Sequence, residues 1–131
     1  MKTYYLPIKS SNLGQYFSKC LVSPSKYIED RIDDVQKKYN EFLLLSDKII
    51  SVNTDCCLEL VFAPNEDVRP LSNGFYLYDK PLPISRVKKI IFNTKKQKDI
   101  TIGYITLSSA FIPNDLLDIS PFESSNISDL P

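Results

Sequence analysis

The feature that most constrains the fold of this sequence is a pair of β-rich runs in its last third. The runs cover residues 87–93 and 100–107, and a short polar connection, residues 94–99, joins them. Two such runs on either side of a few polar residues are typical of a β-hairpin. The predicted hairpin also carries the densest positive charge in the chain, contributed by Arg86, Lys88, Lys89, Lys95, Lys96 and Lys98.

Apolar periodicity predicts two α-helices in the first third of the chain. Apolar residues recur at helical spacing at Leu13, Tyr16, Phe17, Cys20 and Leu21. This helix should bury that face, Cys20 included, and should end before Pro24, because the residue before a proline avoids the α conformation. A second helix is predicted over residues 27–39, where acids fill the first half and lysines the end, as the helix dipole favours.

Several further apolar stretches predict the strands of a sheet. The clearest is residues 56–63, where Leu58, Leu60 and Phe62 alternate with residues of the opposite face. Weaker strands are predicted at residues 4–8, 42–46 (a strand or the end of the second helix), 48–53, 75–78 and 110–113. Pro7 has no backbone N–H for a ladder, so the first of these should be an edge strand at best.

These elements predict an α+β fold in which two N-terminal helices pack on a mostly antiparallel sheet of about five or six strands. The strands follow one another without helices between them, which argues against a parallel, doubly wound sheet. Residues 1–119 should form this single domain. Residues 120–131 change to serine, proline and acid, and this composition predicts a flexible tail or a linker.

Composition excludes several classes of function. The chain has no histidine, which removes His-based nucleophilic sites and His-containing zinc sites. The three glycines are isolated, so no phosphate-binding loop is present, and the three cysteines lack the spacing of a metal site. We therefore expect no cofactor and no metal, and an enzyme is disfavoured. Free cysteines and the lack of a long apolar run predict a cytoplasmic protein without a membrane partner.

The leading hypothesis is a non-enzymatic interaction module, either the N-terminal domain of a larger protein or a subunit of a complex, that binds a protein partner. An alternative is contact with a nucleic-acid backbone through the basic hairpin, residues 86–98. The net charge of zero means that such a basic patch must be local, since nucleic-acid-binding domains usually carry a basic surplus. The oligomeric state is open.

A second alternative comes from the opening residues, YYLPIKSSNLGQYFSKCLVSP. Over about twenty residues they resemble the entry strand and first helix of ADP-ribosyltransferase-like proteins. The histidine or arginine that such enzymes carry on their first strand is missing here. The resemblance therefore implies a degenerate, catalytically dead ADP-ribosyltransferase-like domain.

Overall fold

A seven-stranded mixed sheet dominates the computed structural model, which describes residues 1–24, 41–51, 54–107 and 112–124. In chain order the described strands are β1 (Lys2–Ile8), β2 (Leu21–Val22), β3 (Leu43–Ser46), β4 (Ile50–Ser51), β5 (Cys56–Phe62), β6 (Arg69–Pro70), β7 (Phe75–Tyr78), β8 (Leu82–Pro83), β9 (Val87–Phe92), β10 (Leu117–Ile119) and β11 (Glu123–Ser124). The described α-helices are α1 (Leu13–Lys19) and α2 (Lys95–Leu107). Single 3-10 turns lie at Ser10–Asn12, Ile84–Arg86 and Asn114–Leu116.

The order of strands in the large sheet is β10-β9-β5-β1-β3-β7-β6. Neighbouring strands are antiparallel except β10 and β9, which are parallel. Two small sheets pair β2 with β8 antiparallel and β4 with β11 parallel. The long strands β1, β5 and β9 lie side by side and form the centre of the molecule.

The two faces of the large sheet are packed differently. Alternation in β5 places Cys56, Leu58, Leu60 and Phe62 on the first face, where each is at most 1% exposed. This face carries the main core and is covered in part by α1, which buries Leu13 and Tyr16 there, as the sequence predicts. The second face carries a smaller apolar cluster built on Ile50 and Phe75, packed against Leu44 and Leu71, and it also buries Cys57 and Ile91.

The predicted number of strands and the predicted arrangement of helices are wrong. The α+β class and the mostly antiparallel pairing are correct, but the sheet has seven strands rather than five or six and is mixed, because β10 runs parallel to β9. Of the described helices only α1 is N-terminal, and α2 follows β9. The second predicted helix, over residues 27–39, lies outside the described residues. The additional strands β6 and β10 have two and three residues, which is too short for a hydrophobic period to be detected.

The predicted hairpin is also wrong. Its first run is β9, but the residues of its second run belong to α2. Thr94 explains the difference, because its hydroxyl oxygen accepts a hydrogen bond from the N–H of Gln97 at 3.2 Å and its carbonyl accepts one from Lys98 at 3.1 Å. A threonine followed three residues later by glutamine is a helix-start signal. The β-favouring residues after it are therefore helical.

The position of β1 corrects a third expectation. β1 is not an edge strand but lies between β5 and β3. β1 pairs with β5 along its whole length. Its pairing with β3 is at Tyr5 and Ser46, two residues before Pro7. Cys20 is exposed rather than buried, because α1 ends at Lys19 and Cys20 has a left-handed backbone (φ 58°) that turns the chain into β2.

Residues 120–124 run along the sheet as far as β4, where β11 pairs. The proposed boundary at residue 119 stays a prediction. Residues 125–131 lie outside the described residues.

Candidate functional site

A cavity of about 390 Å³ lies at the end of the sheet where β1 begins and β5 ends. Its lining combines apolar groups with one lysine and one glutamate: Met1, Lys2, Tyr4, Phe62, Ala63, Pro64, Glu66 and Val68. The antiparallel register pairs Lys2 directly with Phe62, which brings the first residues of β1 to the last residues of β5. A concave, largely apolar site with a few polar groups is the usual form of a small-molecule site.

The rings of Tyr4 and Phe62 form the inner wall of this cavity, and the rings of Tyr76 and Tyr78 pack against them. Tyr4 and Phe62 meet edge to face with ring centroids 5.4 Å apart, and Phe62 meets Tyr78 in the same way at 5.1 Å. Tyr76 packs against Tyr4 at 4.8 Å. Such geometries are favourable beyond the burial of apolar area alone. The wall is therefore a fixed part of the core and not a set of loose side chains.

Glu66 is the acidic residue of the cavity, and it is held by three donors. Its Oε1 accepts hydrogen bonds from the Ala63 N–H at 2.6 Å and from Arg86 Nη1, and its Oε2 accepts one from the Tyr78 hydroxyl at 3.2 Å. Arg86 Nη1 also donates to the Val61 carbonyl at 3.1 Å. The side chains of Glu66 and Arg86 are only 15% and 26% exposed.

These contacts shift the pKa values of Glu66, Arg86 and Tyr78. The hydrogen bond from Arg86 lowers the pKa of Glu66, and this effect outweighs burial, which acts in the opposite direction. The same hydrogen bond raises the pKa of Arg86. Burial, followed by the negative charge of Glu66, raises the pKa of Tyr78. The carboxylate is therefore ionised and occupied, which suits an anchor of the fold better than a proton acceptor.

A row of polar residues crosses the second face of the sheet on β1, β5, β9 and β10. Tyr5 donates its hydroxyl to Glu59 Oε1 at 3.4 Å, and Glu59 is in register with Lys89, whose Nζ lies 3.4 Å from Asp118 Oδ2. Burial and the neighbouring Glu59 raise the pKa of Tyr5. Beside Tyr5 lies a depression of about 310 Å³, lined by Tyr5, Asp47, Lys48, Ile49, Pro121 and Glu123.

The structure does not bring the predicted basic residues together on a finger. Arg86 is turned inward to Glu66, and Lys89 is paired with Asp118. Lys88 is exposed on β9. Lys95 and Lys96 are exposed and Lys98 is half-buried in the first turn of α2. That these lysines bind nucleic acid or an acidic protein surface stays a prediction.

In the described ranges no three histidine, cysteine, aspartate or glutamate side chains are grouped so that they could hold a metal ion. None of the described helices is long and apolar enough to cross a membrane.

Comparison with known proteins identifies the family of the chain. Residues 3–119 match the sequence model of the 2-component system ADP-ribosyltransferase domain, which is most of the 131-residue chain. The chain belongs to this family. No curated protein and no solved structure matches the chain. The match confirms the family named in the second alternative, whereas the degeneracy of the domain stays a prediction, and the match gives no support to the protein-interaction module.

The Glu66–Arg86–Tyr78 cluster was missed from the sequence. Glu66 lies in a stretch that the sequence presents as a polar loop, and Arg86 lies twenty residues further on. No local pattern connects two charged residues at that separation. The sequence offers only a weaker indication. Tyr76 and Tyr78 lie on one face of β7, and such an aromatic face is expected to pack against another aromatic strand.

Proposed function

We propose that this member of the family keeps the ADP-ribosyltransferase fold but does not transfer ADP-ribose from NAD. The reaction breaks the bond between nicotinamide and ribose, and positive charge develops on the ribose carbon, as in the cleavage of other glycosidic bonds. A protein accelerates such a step with a carboxylate placed where the charge develops. The proposal therefore depends on which carboxylates this chain can offer to a bound substrate.

The state of Glu66 is the observation that carries the proposal. It is the carboxylate that lines the aromatic cavity, and its oxygens already accept hydrogen bonds from Ala63, Arg86 and Tyr78. An ion pair with Arg86 neutralises the charge that a transition state would need. To contact a ribose, Glu66 would have to give up contacts that hold the end of β5 to β7 and β9.

The composition of β1 supports the same conclusion. The resemblance of the opening residues implies a histidine or arginine on the first strand of an active enzyme, and β1 reads KTYYLPI. Tyr4, Leu6 and Ile8 point into the main core and are buried. β1 thus contributes neither the histidine nor the arginine that the resemblance implies, and its buried side chains serve the packing of the core.

Glu59 is the glutamate of the central strands β1, β5 and β9, and it is the alternative candidate for a catalytic carboxylate. It lies on the face opposite to the aromatic cavity, hydrogen-bonded by Tyr5 and in register with Lys89. If the chain does transfer ADP-ribose, Glu59 on β5 and Glu66 in the loop after β5 are the two carboxylates to test first. Asp55, just before β5, already accepts hydrogen bonds from Ser10 and Gln97.

The test is the release of nicotinamide from NAD by the full chain, measured by chromatography for the wild type, Glu59→Gln and Glu66→Gln. We expect all three proteins to match the buffer blank. Release that scales with wild-type protein and is lost in one of the two variants would overturn the proposal and would identify the catalytic carboxylate.

A further inference from the structure

The segment after β10 crosses the second face of the sheet. It leaves the end of β9, where the Ser120 N–H donates to the Phe92 carbonyl at 2.9 Å, and the Phe122 N–H then donates to Asn93 Oδ1 at 2.9 Å. It reaches β4 through a hydrogen bond of 2.8 Å from the Glu123 N–H to the Ile49 carbonyl. Residues 120–124 are called the strap below.

The strap is held by few and exposed contacts. Its ion pair, Glu123 with Lys48 at 3.8 Å, joins two side chains that are each 64% exposed, and such pairs contribute little. Phe122 is half-buried, and Pro121 and Glu123 are exposed. Segments with few buried apolar contacts and exposed backbone hydrogen bonds open at a lower free energy than the core.

The strap in turn holds β4, and β4 covers Cys57. In the described part of the chain β11 is the strand with which β4 pairs. The Ile50 carbonyl of β4 accepts a hydrogen bond from the Cys57 thiol at 3.0 Å. Cys57 is fully buried on the second face, whereas its neighbour Cys56 is fully buried in the main core on the first face. Two adjacent thiols thus report on opposite faces of one strand.

We infer that the strap and β4 open as a unit while the seven-stranded sheet stays folded, and that this opening uncovers the second face at Tyr5 and Cys57. Two strap residues, Pro121 and Glu123, form part of the lining of the depression beside Tyr5. The strap is therefore a gate on that depression. This inference is independent of whether the chain transfers ADP-ribose.

Burial keeps both thiols unreactive in the closed state. It raises the pKa of Cys57 to about 12 and raises that of Cys56 as well. Only the thiolate reacts with alkylating reagents, so labelling of either cysteine reports opening of its own face. The exposed Cys20 would react first and is removed by Cys20→Ser.

The experiment labels the folded full chain in the Cys20→Ser background with N-ethylmaleimide and follows Cys56 and Cys57 separately by peptide fragmentation. Asn93→Ala removes the acceptor for the Phe122 N–H, and Lys48→Glu reverses the ion pair with Glu123. Asp79→Lys is the matched control, since it reverses an exposed pair with Arg69 on the remote edge of the sheet.

We expect Cys57 to react faster than Cys56 in the parent protein. Asn93→Ala should raise the rate at Cys57 by roughly 3- to 10-fold, the effect of losing one hydrogen bond. Lys48→Glu, which reverses an exposed ion pair, should raise it by at most about 5-fold. Both variants should raise the ratio of the Cys57 rate to the Cys56 rate. Asp79→Lys should leave that ratio unchanged. The ratio is the readout because global unfolding exposes both thiols equally. Equal rates at the two thiols in every protein, or a ratio that the strap variants do not change, would overturn the inference.

Discussion

At the scale of single residues, Glu66 and Arg86 join three parts of the chain. Arg86 follows β8, Glu66 lies in the loop after β5, and Tyr78 ends β7. Hydrogen bonds to charged groups contribute about 1.5–3 kcal/mol each to folding stability. If one partner is removed, the other remains half-buried without the interaction that offsets the cost of its desolvation. This cluster should therefore stabilise the end of the sheet that carries the aromatic cavity.

Two arginines allow that contribution to be measured. Arg86→Met removes the half-buried partner of Glu66, whereas Arg69→Met removes a 56%-exposed side chain that pairs with Asp67 and Asp79. We expect Arg86→Met to lower the free energy of unfolding by about 2 kcal/mol. Arg69→Met should change it by less than about 1 kcal/mol. Urea denaturation gives both values, and equal losses would contradict this account of the cluster.

At the scale of elements, α2 has an unfavourable distribution of charge. Its first turn contains Lys95 and Lys96 and no acid, although the helix dipole disfavours cations at this end. The helix is held in place by Gln97, whose Nε2 donates to Asp55 Oδ2 at 3.1 Å, and Asp55 in turn accepts two hydrogen bonds from Ser10. Tertiary contacts thus offset the charges of the first turn.

The double change Lys95→Glu with Lys96→Glu should therefore stabilise the protein. Each replacement should contribute about 0.3–1 kcal/mol at low salt, and the gain should shrink as salt is added. Thermal melting at two salt concentrations measures this. Lys80→Glu, an exposed change between β7 and β8, is the control and should have little effect. A double variant that melts below the wild type would contradict this dipole argument.

The same double variant tests the nucleic-acid hypothesis. If the lysines of α2 contact phosphates, binding should be lost in the variant while the protein remains folded. Binding that survives the double change would remove Lys95 and Lys96 from that hypothesis.

At the scale of the whole molecule, the sequence predicted the elements that have a clear period. β5, β7, β9 and α1 were each predicted at nearly the right residues, because alternation or helical spacing is visible in them. The helix α2 was predicted as a strand, since its β-favouring residues outweighed the capping signal of Thr94. The central position of β1 depends on pairing with β5, which is distant in sequence, and no local pattern encodes it.

The candidate site was less predictable than the fold for the same reason. The cavity joins the start of β1 to the end of β5, and its acidic anchor is completed by Arg86 from a third segment. The basic residues were chosen by their density along the chain, but Arg86 and Lys89 serve ion pairs within the fold. Density of charge in a sequence does not distinguish an internal ion pair from a solvated surface.

The acid stability of the whole molecule should reflect Glu66. Its pKa is lower in the folded protein than its ordinary value of 4.5, so the unfolded state binds more protons between the two values. The stabilisation is therefore complete above the ordinary pKa and is lost as the pH falls through the folded one. We expect Glu66→Gln to be less stable than the wild type near neutral pH and to lose less stability between about pH 5 and pH 3.

Arg86→Met should flatten the same pH dependence, because it removes the main cause of the lowered pKa. Some slope should remain in both variants, since the pKa of Asp118 is also lowered, chiefly by the N–H of Ile119. Urea denaturation across this pH range measures the slopes. A slope in Glu66→Gln as steep as that of the wild type would contradict the assignment.

The most direct test of the central claim is a proton NMR time course of NAD mixed with the full-length wild-type chain. Bound and free NAD retain the bond to nicotinamide, whereas any transfer or hydrolysis releases free nicotinamide with its own resonances. The proposal predicts that these resonances do not grow beyond those of NAD alone, while an added active ADP-ribosyltransferase makes them appear in the same tube. Free nicotinamide that accumulates in proportion to the concentration of this protein would contradict the claim that the fold is kept without the activity.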